Sequence, residues 1–185
     1  MPICSIDKCI IEHCSPTLAG IKPAGLFSCR YEDKLLTQIM ELNRNLMDKD
    51  VVVSILKRCE DRALVYVYRK SAIKRIIENP QTARFLERYG YSGLTAEKAV
   101  AKLKNRIAES DVFPHEIGIF LGYPLGDVVG FINNHGRNCK CVGCWKVYCN
   151  ECEAVKLFDK YKKCKNIYMK LFERGKTVLQ LTVAV

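Results

Sequence analysis

Five cysteines fall close together late in the chain, in the order Cys139-Lys-Cys141-Val-Gly-Cys144-Trp-Lys-Val-Tyr-Cys149-Asn-Glu-Cys152. Zinc and iron–sulfur centres need about four thiolates converging on a small volume. Short spacings across a turn achieve that, and Gly143 allows a sharp backbone path between ligands. Cys149 and Cys152 lie at the start of a long helical pattern, where backbone N–H groups and the dipole favour thiolate. The spacing is neither that of an electron-transfer ferredoxin nor the separated pairs of a zinc ribbon. The Trp145–Tyr148 run reads as a strand, whose alternation points Cys144 and Cys149 to opposite faces. The leading expectation is a zinc or iron site, iron–sulfur included, built from Cys139, Cys141, Cys144, Cys149 and Cys152. Thiol redox chemistry and a set of reduced, partly buried cysteines compete with it. His135, just upstream, is a weaker candidate as a mixed ligand.

A second constellation centres on Cys14. Ser15-Pro16 reads as a helix restart, with Ser15 as cap and Pro16 at the first helical position. A cysteine just before a helix amino terminus gains thiolate character, and a histidine can serve as its base. His13 is adjacent in sequence, whereas His115, followed by Glu116, would come from elsewhere in the fold. Lys22 could add positive charge. The bland reading is a buried Cys14 beside a core-facing His13. Gly118, Gly122, Gly126 and Gly130 recur every four residues. Glycine inside a helix costs about 1 kcal/mol, so the ladder implies close helix packing or a ligand surface with His115, Glu116 and Tyr123.

These residues need a scaffold, and the chain has enough material for one. It holds 185 residues, 49% hydrophobic and 27% charged, sufficient to bury roughly 70% of the unfolded surface in one domain. That excludes a disordered or collagen-like chain. No apolar run approaches the ~20 residues of a spanning helix, and Asp7, Lys8 and Glu12 interrupt the place of a secretory signal. The expectation is a soluble, cytoplasmic protein with no membrane association. Eleven cysteines, an odd number without an export signal, point to a reducing compartment. The net charge of +10 is concentrated in residues 69–106 and 137–176, with an acidic stretch between. Basic helix faces explain this adequately. A nucleic-acid-binding module, with Trp145 and Tyr148 as stacking groups, ranks third behind the metal site and a thiol enzyme. No phosphate-cradling glycine loop or nucleotide fingerprint is present.

Periodicity predicts a short helix over 5–13, an irregular connector over 20–27 and a helix over 35–47. Strands are expected at 51–56 and 63–68, and a third near 144–149. Helices follow at 71–78, 81–89 and 95–109, the last capped by Thr95. A short helix opens near Phe113 and stops at Gly122, and another runs from Pro124 to about Asn133. Residues 151–174 form the longest helix. The fold class is α+β: a single domain over 1–185, mostly helical, with a small sheet and a cysteine-rich loop at 139–152.

Several phrases together resemble one family: His13-Cys-Ser-Pro-Thr-Leu-Ala-Gly-Ile-Lys-Pro23, Phe113-Pro-His-Glu-Ile-Gly-Ile-Phe-Leu-Gly-Tyr-Pro124, Asp127-Val-Val-Gly-Phe-Ile132 and Trp145-Lys-Val-Tyr148. The family is an uncharacterised bacterial one, a domain of unknown function common in anaerobic Gram-positive bacteria. The resemblance covers nearly the whole chain and implies a cytoplasmic protein of anaerobes. It brings no established activity, cofactor or catalytic residue. Members often carry an aromatic residue in place of Cys144, so the resemblance does not extend to all five thiols. The expected function is a thiolate-rich metal-binding or redox accessory protein, with an unidentified protein or small-molecule partner.

Overall fold

The structure is a computed structural model and describes residues 5–110 and 113–184; Cys4 lies outside the described residues. In chain order the elements are α1 (Ile6–Leu18), β1 (Ala24–Arg30), α2 (Asp33–Leu46), β2 (Val51–Cys59), β3 (Arg62–Arg69), α3 (Lys70–Glu78), α4 (Pro80–Glu87) and α5 (Ala96–Glu109). There follow α6 (Ile117–Phe120), α7 (Leu125–Asn133), β4 (Cys141–Val142), β5 (Lys146–Val147), α8 (Glu151–Glu173) and α9 (Val178–Leu181). This is the α+β, mostly helical arrangement expected.

Among the described residues, β1, β3 and β2 form one antiparallel sheet in that order, with β3 in the middle. Ala24 stands opposite Tyr68, and Val51 opposite Arg69. Period-two alternation gives the sheet two apolar faces. Phe27, Val53, Val65 and Val67 face a core closed by α1, α2, α9 and the second half of α8. Ala24, Leu56, Tyr66 and Tyr68 face a core closed by α3 through α7. A third, smaller core joins the β4–β5 hairpin to the first half of α8 through Trp145, Val147, Ala154 and Tyr161.

Helix boundaries follow local chemistry. Thr95 accepts from the Lys98 amide, as its sequence position predicts, and Asn79 accepts from Gln81 and Thr82 ahead of α4, with Pro80 at its first position. Such caps satisfy amides that the first turn leaves unpaired. Asn150 does the same for α8.

Three expectations need correction. The connector over 20–27 becomes strand from Ala24 onward, because pairing with β3 overrides the loop-like Pro23 and Gly25. The strand near 144–149 shrinks to Lys146–Val147. The largest change is in α1, which does not stop and restart. The Ser15 hydroxyl bonds back to the Ile11 carbonyl, and the helix runs through Pro16 to Leu18. An interior proline costs about 3 kcal/mol. Ile10, Ile11, Cys14 and Leu18 are all fully buried, and burial of each large apolar side chain contributes roughly 1.5–3 kcal/mol. The core therefore outweighs the proline.

Arg69, at the end of β3, is 2% exposed. It donates to the carbonyls of Thr17 (2.7 Å), Leu18 (2.6 Å), Val183 (2.8 Å) and Lys49 (3.1 Å). A planar guanidinium can serve several acceptors at once. Here it ties the carboxyl end of α1 to the sheet and to the chain terminus. Arg69→Met should cost on the order of 3–5 kcal/mol in urea unfolding, since hydrogen bonds to charged groups are worth about 1.5–3 kcal/mol each and do not add fully. Arg69→Lys should recover only part of that loss.

Candidate functional site

Between α6, α7 and the β4–β5 hairpin lies a cavity of about 400 Å³. Its walls are apolar: Leu26 from β1, Ile117 and Leu121 from the α6 region, Val128 and Phe131 from α7, and Trp145 from the hairpin. His115, Tyr123, Asp127 and Lys146 supply its polar atoms.

Asp127, in the first turn of α7, is 2% exposed. Its Oδ2 accepts from the Trp145 indole N–H at 2.7 Å, and its Oδ1 from the amides of Tyr148 (2.8 Å) and Cys149 (2.9 Å). A buried carboxylate without such donors would be strongly destabilising. The positive end of a helix favours it further. Asp127 thus fixes the hairpin against α7.

The glycine ladder serves the same contact. Gly126 and Gly130 sit one turn apart on α7 and receive the Cys149 sulfur and the Tyr148 ring. A Cβ on Gly130 would lie 2.6 Å from that of Tyr148. The close approach is real: for Gly126 and Gly130 its partner is the hairpin segment, while Gly118 of α6 meets Val128 of α7, helix against helix. Trp145 stacks on Tyr123 at 5.0 Å and meets Phe158 edge-on at 4.5 Å.

At the cavity mouth, His115 is exposed and meets the Phe131 ring edge-on at 5.1 Å. The Lys146 ammonium donates to the Gly136 carbonyl at 2.8 Å and lies 5.8 Å from the Phe131 centroid. Glu116 turns away from the cavity. It is 1% exposed, accepts from Arg106 Nε, and receives the Tyr91 hydroxyl at 3.4 Å. Burial, and then Glu116, push the Tyr91 phenol above its ordinary range. Only His115 of the two lines the apolar cavity, and both line a further recess of about 360 Å³ beside Tyr89 and Arg106.

The clustered thiols spread along the hairpin. Cys139 and Cys141 flank Lys140, whose amide bonds the Val147 carbonyl at 2.8 Å and whose ammonium bonds the Cys149 carbonyl at 2.5 Å. Desolvation, and then Glu151, raise the Cys141 thiol. Cys144 lies at the other end of the hairpin, where burial raises its thiol and Lys22 opposes the shift. Cys149 packs on Gly126, and Cys152 is exposed in the first turn of α8. Among the described residues, no group of three or more His, Cys, Asp or Glu side chains is placed to hold a metal ion. His135 is exposed in a left-handed turn, φ 49°.

Cys14 sits within α1 and is fully buried, and that burial pushes its thiol up to about 12. The free helix amides that would have lowered it are not there, because α1 is continuous. His13 is exposed and stacks on Phe27 at 5.5 Å. Cys14 belongs to the core on one face of the sheet, whereas Ile117 and Val128, beside His115 in the cavity wall, belong to the core on the other.

The profile of a family described as "Protein of unknown function (DUF3793)" matches residues 10–182. The chain belongs to that family. No curated protein and no solved structure matches it. Among the described residues, no helix is long and apolar enough to cross a membrane. In this family member, three of the phrases on which the resemblance rests meet at the cavity. Every lining residue except Leu26 falls in Phe113–Pro124, Asp127–Ile132 or Trp145–Tyr148.

Asp127, Phe131 and Lys146 fall within those phrases, but their residue types alone do not single them out as site residues, and nothing in them points to a hairpin meeting a helix.

Thiol alkylation, read peptide by peptide, tests this arrangement. Cys59, Cys149 and Cys152 should label first and Cys14 last, behind the partly buried Cys164. In Asp127→Ala, released from the three hydrogen bonds, Cys139 and Cys141 should join the fast class while Cys14 stays slow. Trp145 emission, from the chain's one tryptophan, should shift to the red.

Proposed function

We propose that the chain is a small-molecule-binding protein whose ligand occupies the cavity between α6, α7 and the hairpin. The observation that carries this reading is the cavity itself: about 400 Å³, apolar and aromatic walls, and few polar groups. Ligand sites combine those features. Tyr123, Phe131 and Trp145 suit a flat, largely apolar molecule, and His115 with Lys146 at the mouth suits an acidic substituent on it. The setting we infer is the cytoplasm of an anaerobic bacterium, which the exposed thiols of Cys59, Cys149 and Cys152 support.

Anilinonaphthalene sulfonate, a flat apolar dye with one anionic group, is a suitable probe. It should bind saturably, gain fluorescence and quench Trp145. Leu26→Phe, which fills the cavity, should weaken binding by about tenfold, and Lys146→Gln should weaken it less. Dye binding that ignores Leu26→Phe would place the dye elsewhere and remove the support.

A second reading keeps zinc or iron. Cys139 and Cys141, two apart at the start of the hairpin, lie near enough for each thiol to feel the other, and Cys149 and Cys152 bracket the Asn150 cap of α8. The side chains as placed do not close on one volume, so the site does not fit a metal without rearrangement. On this reading, anaerobically purified protein carries about one metal per chain, lost in Cys139→Ser with Cys141→Ser. Metal-free protein from zinc- and iron-supplemented growth retires it. The nucleic-acid reading loses its stacking groups, because Trp145 is buried and Tyr148 packs on Gly130.

A further inference from the structure

A second cavity, of about 370 Å³, opens where the α1–β1 connection meets α3 and the start of α4. Its polar lining consists of Lys22, Arg69, Arg75, Asn79 and Thr82, and among the described residues no carboxylate lines it. Three cations without an acid is an unusual lining for a cavity, since clustered like charges repel and burial penalises each.

Arg69 is accounted for by the Thr17 and Leu18 carbonyls at the end of α1 and those of Lys49 and Val183, using four of its five N–H donors. Lys22 is not accounted for in this way. It is half-buried, and the ion pairs among the described residues, Lys74–Glu78, Arg106–Glu116, Lys156–Glu153 and Lys165–Glu12, do not include it. Its ammonium lies 5.6 Å from the Tyr123 ring centroid and 5.8 Å from that of Tyr161. Ring faces attract a cation more weakly than the water it gives up on burial. That deficit holds its proton affinity below the ordinary lysine range. Arg75, exposed on α3, stands at the same cavity with no ion-pair partner of its own. Lys22 and Arg75, two cations lining one recess, carry charge complementary to a phosphate group, which a guanidinium can bond through two N–H groups at once.

We propose that this cavity binds the phosphate group of a small phosphorylated molecule, with Lys22 and Arg75 as the direct contacts and the Arg69 guanidinium adding field from the floor. The site is separate from the apolar cavity and does not depend on its ligand. Tyr123 lies between the two, against Lys22 on one side and Trp145 on the other.

Titration calorimetry and amide NMR with pyrophosphate, at matched ionic strength, test the proposal. Binding should be saturable and one-to-one, with shifts at Gly20, Ala72 and Thr82. Lys22→Met and Arg75→Gln should each weaken it by about tenfold or more, and Lys156→Gln, an exposed α8 control, should leave it unchanged. If Lys22→Met fails to fold, the exposed Arg75→Gln carries the test alone. Absence of saturable binding, an equal loss in Lys156→Gln, or tighter binding of the dicarboxylate succinate than of pyrophosphate overturns it.

Discussion

Asp127 accepts three hydrogen bonds from a hairpin well downstream of it, and the apolar cavity exists because of that connection. The strands β4 and β5 hold two residues each, too few to persist on their own in water. What keeps them in place is the carboxylate on one side and the Trp145–Tyr161 core against α8 on the other. Sequence supplies the rest of the geometry. Pro124 starts α7, Asp127 falls in its first turn, and Gly126 and Gly130 clear a face for Cys149 and Tyr148. Once the hairpin is seated, Trp145 and Lys146 become wall and rim.

Buried charge is handled differently at each place it occurs. Glu116 is matched by Arg106, an ion pair with one partner near solvent. Asp127 is matched by amides and an indole. Arg69 is matched by carbonyls at the negative end of α1, where the helix dipole favours a cation. Each of these groups lies where two or more elements meet, so each also fixes how those elements are oriented. Lys22 has aromatic faces and the Cys14 and Cys144 thiols in place of an acid.

Much of the scaffold was legible because its signals are local. Thr95, Pro124 and the 151–174 stripe mark helices by capping, first-turn position and period, and Val51–Leu56 with Ala63–Tyr68 mark strands by β-branching and alternation. What was not legible depends on pairing over distance. β1 carries Pro23 and Gly25 beside it and reads as loop until β3 is placed next to it. Ser15-Pro16 has the chemistry of a helix start, and only the burial of Leu18 shows that the helix continues. The same limit governs the site. His115 and Tyr123 were visible as candidates, but their companions Leu26, Phe131 and Lys146 come from three other segments. The five cysteines were the strongest signal in the sequence, yet proximity along a chain does not fix the direction of side chains. Cys144 sits in the turn of the hairpin near Lys22, while Cys139 and Cys141 lie at its opposite end.

The wall built by α7 is also a place where the fold is weakly held by its own local preferences. The helix has nine residues, two of them glycines on the packed face, and each interior glycine costs about 1 kcal/mol relative to alanine. A helix that short is marginal in isolation even with good formers. Its stability must come from tertiary contacts, chiefly Val128 in the core and the Asp127 tether to a hairpin that is itself marginal. The two elements stabilise each other and neither has much reserve. Elements of low local stability are the ones that open first in native proteins, and binding surfaces are drawn from them. An apolar molecule seated between α7 and the hairpin would touch both elements at once, through Phe131 and Trp145, and would be favoured by the apolar surface it buries there. The weakness of this wall and its fitness for a ligand thus have one physical origin, the glycine-lined contact that lets a helix and a hairpin approach closely without fully filling the space beside them.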